Sequence, residues 1–268
     1  MPMKPDDAGM RSVELAFEVP GTPDEVWRAI ATGPGIGAWF VPSEVEERVG
    51  GHVKFDLGGG MVSSGHVTAW EPPRRFAYQE PDWSAGAPPL GTEFVIEALS
   101  GERCRIRLVH SLATDSDRWD DEVGGMETGW PPFFEVLRIY LMGFKGQPAV
   151  SLRPMGGFPG SLDEAWDSLS TALGLEEAKV GDHVVAPPDA PRLEGGVLRV
   201  SRSVHQREAL LQLTEPAPGA ALAGVFSFGG QVMVALSIYF YGERAEAVAA
   251  RERPRWDDWI ARRYPKSA

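Results

Sequence analysis

Two copies of one helix start, 139 residues apart, constrain this chain more than any other feature of its sequence. Thr22-Pro23-Asp24-Glu25-Val26-Trp27 recurs as Ser161-Leu162-Asp163-Glu164-Ala165-Trp166. In each copy a hydroxyl residue stands three positions before a glutamate, so the two side chains can satisfy each other's backbone N–H groups at the first turn of a helix. Pro23 occupies the first helical position, where a missing N–H does no harm. An offset close to half of 268 residues predicts two tandem copies of one fold. The length alone corresponds to about two average domains. The Gly/Pro-rich stretch 143–160 marks the junction, which places the domains at 1–145 and 146–268.

Around the first helix start the chain reads as short β elements. Val13, Leu15, Phe17 and Val19 alternate with polar residues, the period of a strand with one buried face. Val26, Trp27 and Ile30 then follow at helical spacing, and Gly33 to Gly37 interrupts the helix ahead of a second short apolar turn at Ile36, Trp39 and Phe40. Runs at 52–57, 61–70, 76–79, 92–98 and 104–110 are separated by Gly, Pro and Asp/Ser clusters, which predicts an antiparallel meander. Connections as short as Leu57-Gly58-Gly59-Gly60 leave no room for crossover helices, so a doubly wound nucleotide-binding sheet fits this pattern poorly. Trp130, Phe133, Phe134, Leu137, Tyr140 and Leu141 form a broad helical face that closes the first half, with Pro131 and Pro132 expected to restart or kink it. The second half repeats the plan with a strand at 150–153, the second capping box, strands at 197–201, 209–214, 220–228 and 232–241, and a final helix over 243–264. It lacks a counterpart of residues 35–40 and has fewer strands.

This order of elements resembles the helix-grip fold of the START-like, or SRPBCC, superfamily, which includes the birch-pollen allergen: an α+β fold in which an antiparallel sheet wraps a long C-terminal helix, here duplicated. Within residues 11–145 the capping box with Trp27, the Trp39-Phe40 pair, Gly50-Gly51-His52-Val53-Lys54-Phe55, Gly65-His66-Val67 leading to Trp70-Glu71-Pro72-Pro73-Arg74-Arg75-Phe76, and Gly129-Trp130 resemble the bacterial relatives of the activator of heat-shock protein ATPase (Aha-type). The resemblance implies an apolar cavity between sheet and long helix. Members of the superfamily bind lipids or other hydrophobic ligands, cyclise polyketides or assist chaperones.

Composition narrows the partners. A formal charge of −12 opposes phosphate backbones and anionic membrane surfaces, so neither nucleic acid nor membrane is expected. Residues 1–145 hold 13 Lys+Arg against 23 Asp+Glu, whereas 146–268 hold 13 against 15. The polar start, Met1 to Gly9, has no signal-peptide core, no apolar run approaches the roughly 18 residues of a spanning helix, and Cys104 stands alone. A cytoplasmic protein is expected.

Few residues invite chemistry. His52, His66, His110, His183 and His205 are scattered, no two within four positions, so neither a metal site nor another cofactor is expected. His110, at the end of the alternating run Cys104, Ile106, Leu108, reads as a hydrogen-bonded strand-end histidine. Asp115 to Glu122 lacks the glycine and terminal glutamate of a calcium loop and reads as a solvated loop before the last helix. Cys104 reads as a packing residue, and Gly58 to Gly60 as a hairpin turn. No Gly-x-Ser-x-Gly elbow, His-Glu-x-x-His helix or kinase signature occurs. The expected function is therefore noncatalytic binding of a small hydrophobic ligand by Trp39, Phe55, Tyr78, Phe94, Leu108, Trp130 and Phe134, under the final helix of the first domain. Two alternatives stand beside it: a chaperone-linked or stress-linked adaptor binding a protein, and a polyketide-cyclase-like enzyme, which would need Arg107, Tyr78 or His110 to face the cavity.

Overall fold

The structure, a computed structural model, describes residues 10–114, 116–228 and 230–265. Met1 to Gly9 and Asp115, both read above, lie outside the described residues. The chain divides into two compact units, Met1–Lys145 and Gly146–Ala268.

In the first unit the alternating run becomes β1 (Met10–Pro20). Thr22 then caps α1 (Pro23–Ala31): Thr22 Oγ1 accepts from the Glu25 N–H at 3.4 Å, and Glu25 Oε2 accepts from the Thr22 N–H at 2.9 Å. The Lys145 ammonium, 2.7 Å from Glu25 Oε1, holds that carboxyl below its ordinary pKa. α1 buries Val26, Trp27 and Ile30 toward the sheet, and α2 (Gly33–Gly37) follows at once. A Cβ on Gly35 would lie 1.9 Å from the Arg28 carbonyl oxygen, so glycine alone lets α2 approach α1 this closely.

The meander comprises β2 (Ser43–Val45), β3 (His52–Gly58), β4 (Met61–Glu71), β5 (Arg75–Glu80), β6 (Leu90–Leu99) and β7 (Arg103–Ala113). Gly58, Gly59 and Gly60, at φ 86°, 64° and 87°, make the β3–β4 turn, a backbone that residues with a Cβ rarely adopt. Every pairing is antiparallel and the sheet order is β1-β7-β6-β5-β4-β3-β2, so the first strand lies beside the last. A 3-10 turn (Asp117–Trp119) leads into α3 (Asp120–Gly143). Arg138 on α3 donates from Nε to the Glu18 carbonyl at 2.8 Å and ties the helix to β1.

Two expectations are corrected here. Asp120 to Glu122 belong to the first turn of α3 and not to a loop. Pro131 and Pro132 lie inside one continuous helix and do not restart it. They withdraw the N–H groups that would serve the carbonyls of Glu127 and Thr128. The helix tolerates this because burial of Trp130, Phe134, Leu137 and Leu141 along one stripe holds it on the sheet.

The outer face of this sheet carries a ladder of ion pairs. Arg107 reaches Glu14 at 3.1 Å and Glu93 at 3.6 Å, Arg75 reaches Glu93 at 2.6 Å and Glu71 at 3.0 Å, and Arg105 lies between Glu18 and Glu97 at 3.4 and 3.7 Å. These partly exposed pairs contribute about 0–1 kcal/mol each. Their main consequence is that opposite charges on adjacent strands neutralise one another across the face.

The second unit repeats the topology. β8 (Ala149–Leu152) and β9 (Met155–Phe158) both pair with β14, α4 (Leu162–Leu173) follows, and then β10 (His183–Val185), β11 (Glu194–Arg202), β12 (Gln206–Glu215), β13 (Gly219–Phe228) and β14 (Gln231–Tyr241) precede α5 (Ala245–Arg263). The sheet order β10-β11-β12-β13-β14-β8 again sets the first strand beside the last. The strand expected over 150–153 is thus two short strands. Pro154 has no N–H and breaks the ladder, yet its carbonyl still accepts from Leu236 N at 3.0 Å. The meander has five strands against six, and no counterpart of α2 follows α4. Trp27 and Trp166 both stand five positions after their capping hydroxyl residue and both are buried. The fold is a duplicated helix grip.

Because Thr22 and Ser161 each close a reciprocal cap, Thr22→Ala and Ser161→Ala should each cost about 1 kcal/mol. Urea unfolding measures this, and an unchanged midpoint in either variant would show that the cap does not contribute to stability.

Candidate functional site

The inner face of the first sheet carries one polar row through an aromatic interior. Register places Val67 opposite Tyr78, Tyr78 opposite Thr92, Thr92 opposite His110 and His110 opposite Val13. Directly opposed residues in an antiparallel sheet have Cβ atoms about 5 Å apart, so these side chains meet. Thr92 Oγ1 lies 3.0 Å from His110 Nδ1. From α3 above, Trp130 donates its indole N–H to His110 Nε2 at 2.6 Å, with the two rings stacked at 5.6 Å.

That geometry assigns the proton. An indole nitrogen only donates, so His110 Nε2 must be the acceptor and the single ring proton of the neutral imidazole sits on Nδ1, directed at Thr92 Oγ1. The Thr92 hydroxyl is then free to donate onward, and it bonds the Tyr78 side chain. The row reads Trp130 to His110 to Thr92 to Tyr78.

Burial sets its electrostatics. His110 is 3% exposed, and removal from water disfavours the imidazolium, lowering its pKa to about 4. Desolvation raises the Tyr78 pKa well above its ordinary value, and the Glu80 carboxylate reinforces this. Glu80, two residues along β5 on the same face, is itself raised by burial while it accepts a hydrogen bond from Ser63 Oγ.

The residues expected to form the site all point inward and are buried, and the six aromatic ones belong to one network of touching rings. Trp39 packs on Trp130 and Phe134 with centroids at 6.2 and 5.3 Å, Phe94 meets Trp130 edge-on at 6.1 Å, and Phe55 meets Tyr78 at 5.1 Å. Leu108 pairs with Phe94 on one side and Leu15 on the other. Trp39 also donates its indole N–H to the Ala29 carbonyl at 2.9 Å, fixing α1 beside the rings. Of the three polar groups considered for catalysis, Tyr78 and His110 converge on this interior. Arg107 does not: odd-numbered residues of β7 face outward, and Arg107 serves the ion-pair ladder.

Three participants lie outside the set expected to form the site. Thr92 shares the alternation of Phe94 and Ile96 and was legible as inward-facing. Phe40 bridges Trp130 and Phe55 at 4.7 and 6.5 Å, and Phe17 stacks on Phe134 at 3.7 Å. The other histidines lie elsewhere. His52 and His66 are direct cross-strand partners on the exposed face, and His183 sits 3.1 Å from Glu194 Oε1. Among the described residues no three His, Cys, Asp or Glu side chains come together as a metal site. Cys104 is buried, donates its S–H to the Gly21 carbonyl at 3.3 Å, and burial pushes its thiol pKa up, away from a reactive thiolate.

Residues 20–142, nearly the whole first unit, match the model of the family described as activator of Hsp90 ATPase homolog 1-like protein. The first unit is similar to this family over nearly its whole length. Among solved structures, a Mesorhizobium loti protein is similar at 24% identity over 49% of this chain and 97% of its own, with a TM-score of 0.45. The Aha1 dimer from Colwellia psychrerythraea is similar at 18% identity over 48% of this chain and 95% of its own, TM-score 0.40. The di-domain ARO/CYC BexL from the BE-7585A biosynthetic pathway is similar at 12% identity over 96% of this chain and 100% of its own, TM-score 0.46. A search of curated proteins found no match. The first unit carries its polar row on the inner face of its sheet. Among the described residues of the whole chain, no helix is long and apolar enough to cross a membrane.

Proposed function

We propose that the first unit is a cytoplasmic binding module for a small hydrophobic, ring-containing ligand held beneath α3, and that the polar row reads one hydroxyl or carbonyl group on that ligand. The observation that carries this reading is the hydrogen-bonded row Trp130–His110–Thr92–Tyr78 in an otherwise aromatic interior. A core needs no such row, since burying polar groups gains little over well-packed apolar residues. A pocket benefits from it, because a few fixed polar groups in an apolar lining set orientation and specificity. Entry requires α3 to yield, and the prolines at 131 and 132 remove the hydrogen bonds that would stiffen it next to Trp130.

The polyketide-cyclase-like alternative uses the same groups, and the convergence of Tyr78 and His110 favours it. Their acidities argue for binding over proton transfer: an effective general acid or base titrates near the working pH, whereas His110 titrates at about 4 and Tyr78 is driven the other way. The family's description keeps a chaperone partner as a further alternative, against which stands the mutual neutralisation of charge on the outer sheet face.

The test compares 2-naphthol with naphthalene as probes of the full chain. Tyr78→Phe preserves the ring and removes the hydroxyl, so 2-naphthol affinity should fall about tenfold, the loss of one buried hydrogen bond, while naphthalene affinity stays the same. Equal effects on both probes, or none, would overturn the assignment of the polar row to ligand recognition.

A further inference from the structure

The second unit holds a cleft of about 290 Å³ lined by Arg192, Glu215, Pro216, Arg251, Glu252 and Arg255. In a strongly acidic chain this lining is unusual, with three guanidinium groups against two carboxylates. Glu252 on α5 organises it. Glu252 is only 1% exposed, and both neighbouring arginines converge on one of its oxygens: Arg251 Nε donates to Glu252 Oε1 at 2.6 Å and Arg255 Nη1 donates to the same atom at 3.3 Å. Glu252 Oε2 is buried and has no hydrogen-bond partner among the described residues. Arg192 stands across the cleft, 3.4 Å from Glu215.

Two kinds of hydrogen-bonding capacity are therefore left open side by side. The side chains of Arg251 and Arg255 are 53% and 57% exposed, and each makes a contact to Glu252 Oε1. Fixed guanidinium edges match the oxygens of a phosphate or carboxylate. The second carboxylate oxygen is an acceptor without a donor among the described residues, and a buried acceptor left unsatisfied is destabilising. A simple anion would meet the arginines and leave this oxygen orphaned. A molecule carrying both an anionic group and a hydroxyl would satisfy both. The volume suits something small, since it equals that of about ten liquid water molecules.

We propose that this cleft binds a small hydroxylated organic anion of the sugar phosphate or sugar acid class. Its anionic oxygens take the outward N–H groups of Arg251 and Arg255, with Arg192 opposite, and one of its hydroxyls donates to Glu252 Oε2. This site lies wholly within the second unit and is independent of the aromatic interior of the first.

Calorimetric titration of the full chain at low ionic strength tests it, with ribose 5-phosphate, gluconate, ribose and inorganic phosphate as probes. Either ribose 5-phosphate or gluconate should bind at least about tenfold more tightly than both ribose and inorganic phosphate, and the stronger of the two identifies the anion. Arg251→Gln and Arg255→Gln, at half-exposed positions where the fold should persist, should each weaken that binding by about tenfold or more, the scale of one charge-assisted contact. Arg202→Gln, on the exposed end of β11, should leave it unchanged. Inorganic phosphate binding as tightly as ribose 5-phosphate would overturn the proposal, as would indifference to Arg251→Gln and Arg255→Gln; Glu252 would then be the centre of a purely structural ion triad.

Discussion

Phe134→Ala and Trp27→Ala are each expected to destabilise the first unit by about 3–5 kcal/mol, the cost of cutting a buried aromatic residue to alanine. Phe134 is 1% exposed, stacks on Phe17 at 3.7 Å and touches both Trp39 and Trp130. Trp27 packs edge-on against Trp70 at 4.9 Å and reaches Phe76 at 6.5 Å. Trp130 differs, because it adds a hydrogen bond to its packing. Trp130→Ala opens a hole beside His110 and leaves Nε2 without its donor, whereas Trp130→Phe keeps most of the ring and removes only the hydrogen bond, a change worth about 1–3 kcal/mol. Under the binding proposal, Trp130→Ala and Phe134→Ala weaken an apolar fluorescent probe more than Trp27→Ala does, since Trp130 bonds His110 and Phe134 touches Trp130, whereas Trp27 packs against Trp70 and Phe76. Urea unfolding and probe titration of all variants measure both quantities. Equal, large destabilisation by all three alanine variants with unchanged probe affinity would make the aromatic body plain core and bring the adaptor reading to the front.

Acidification should destabilise the first unit through His110. In the unfolded chain this histidine takes up a proton around pH 6.5, and in the folded chain only near pH 4. Between these values the unfolded state binds more protons, so stability falls as the pH falls, and it is fully retained above about 6.5. A separation of that size corresponds to about 3 kcal/mol lost between pH 7 and 4. Glu80, raised by burial, works in the opposite direction, since its protonation on acidification favours the folded state. The effect of His110 is therefore read as a difference: in His110→Gln, which cannot ionise, the loss of stability between pH 6.5 and 4 should be smaller than in the parent chain by about that amount. Denaturant unfolding at a series of pH values provides the comparison, and parallel pH profiles for the two proteins would show that His110 is not held neutral in the folded state.

Local patterning alone determined a large part of this protein. Both capping boxes, the alternation of β1, the glycine hairpin at 58–60 and the apolar stripe of α3 are short-range signals, because helix and strand periods and turn stereochemistry act over a few residues. The offset between Trp27 and Trp166 made the duplication legible for the same reason. Where short-range rules compete with tertiary burial, the local reading failed. Pro131 and Pro132 stay inside α3 because the stripe around them is buried, and Pro154 divides a strand whose two pieces still share β14.

The site shows the same division. Alternation of Cys104, Ile106, Leu108 and His110 placed His110 on the inner face, and the same rule applied to Thr92 would have placed it there too. Nothing in either local pattern says that they are opposite one another, or that Tyr78 completes the row, because strand register is set by pairings between segments up to about a hundred residues apart. Helix docking over that row is likewise a tertiary event, and it is what gives His110 its indole donor, its fixed tautomer and its depressed pKa. In the second unit, Arg251 and Arg255 are visible in the sequence as two more charges on a polar helix. Only the packing of α5 in the folded second unit buries Glu252 beside them and leaves one of its oxygens without a hydrogen-bond partner among the described residues, since desolvation is a property of the surroundings and not of the residue.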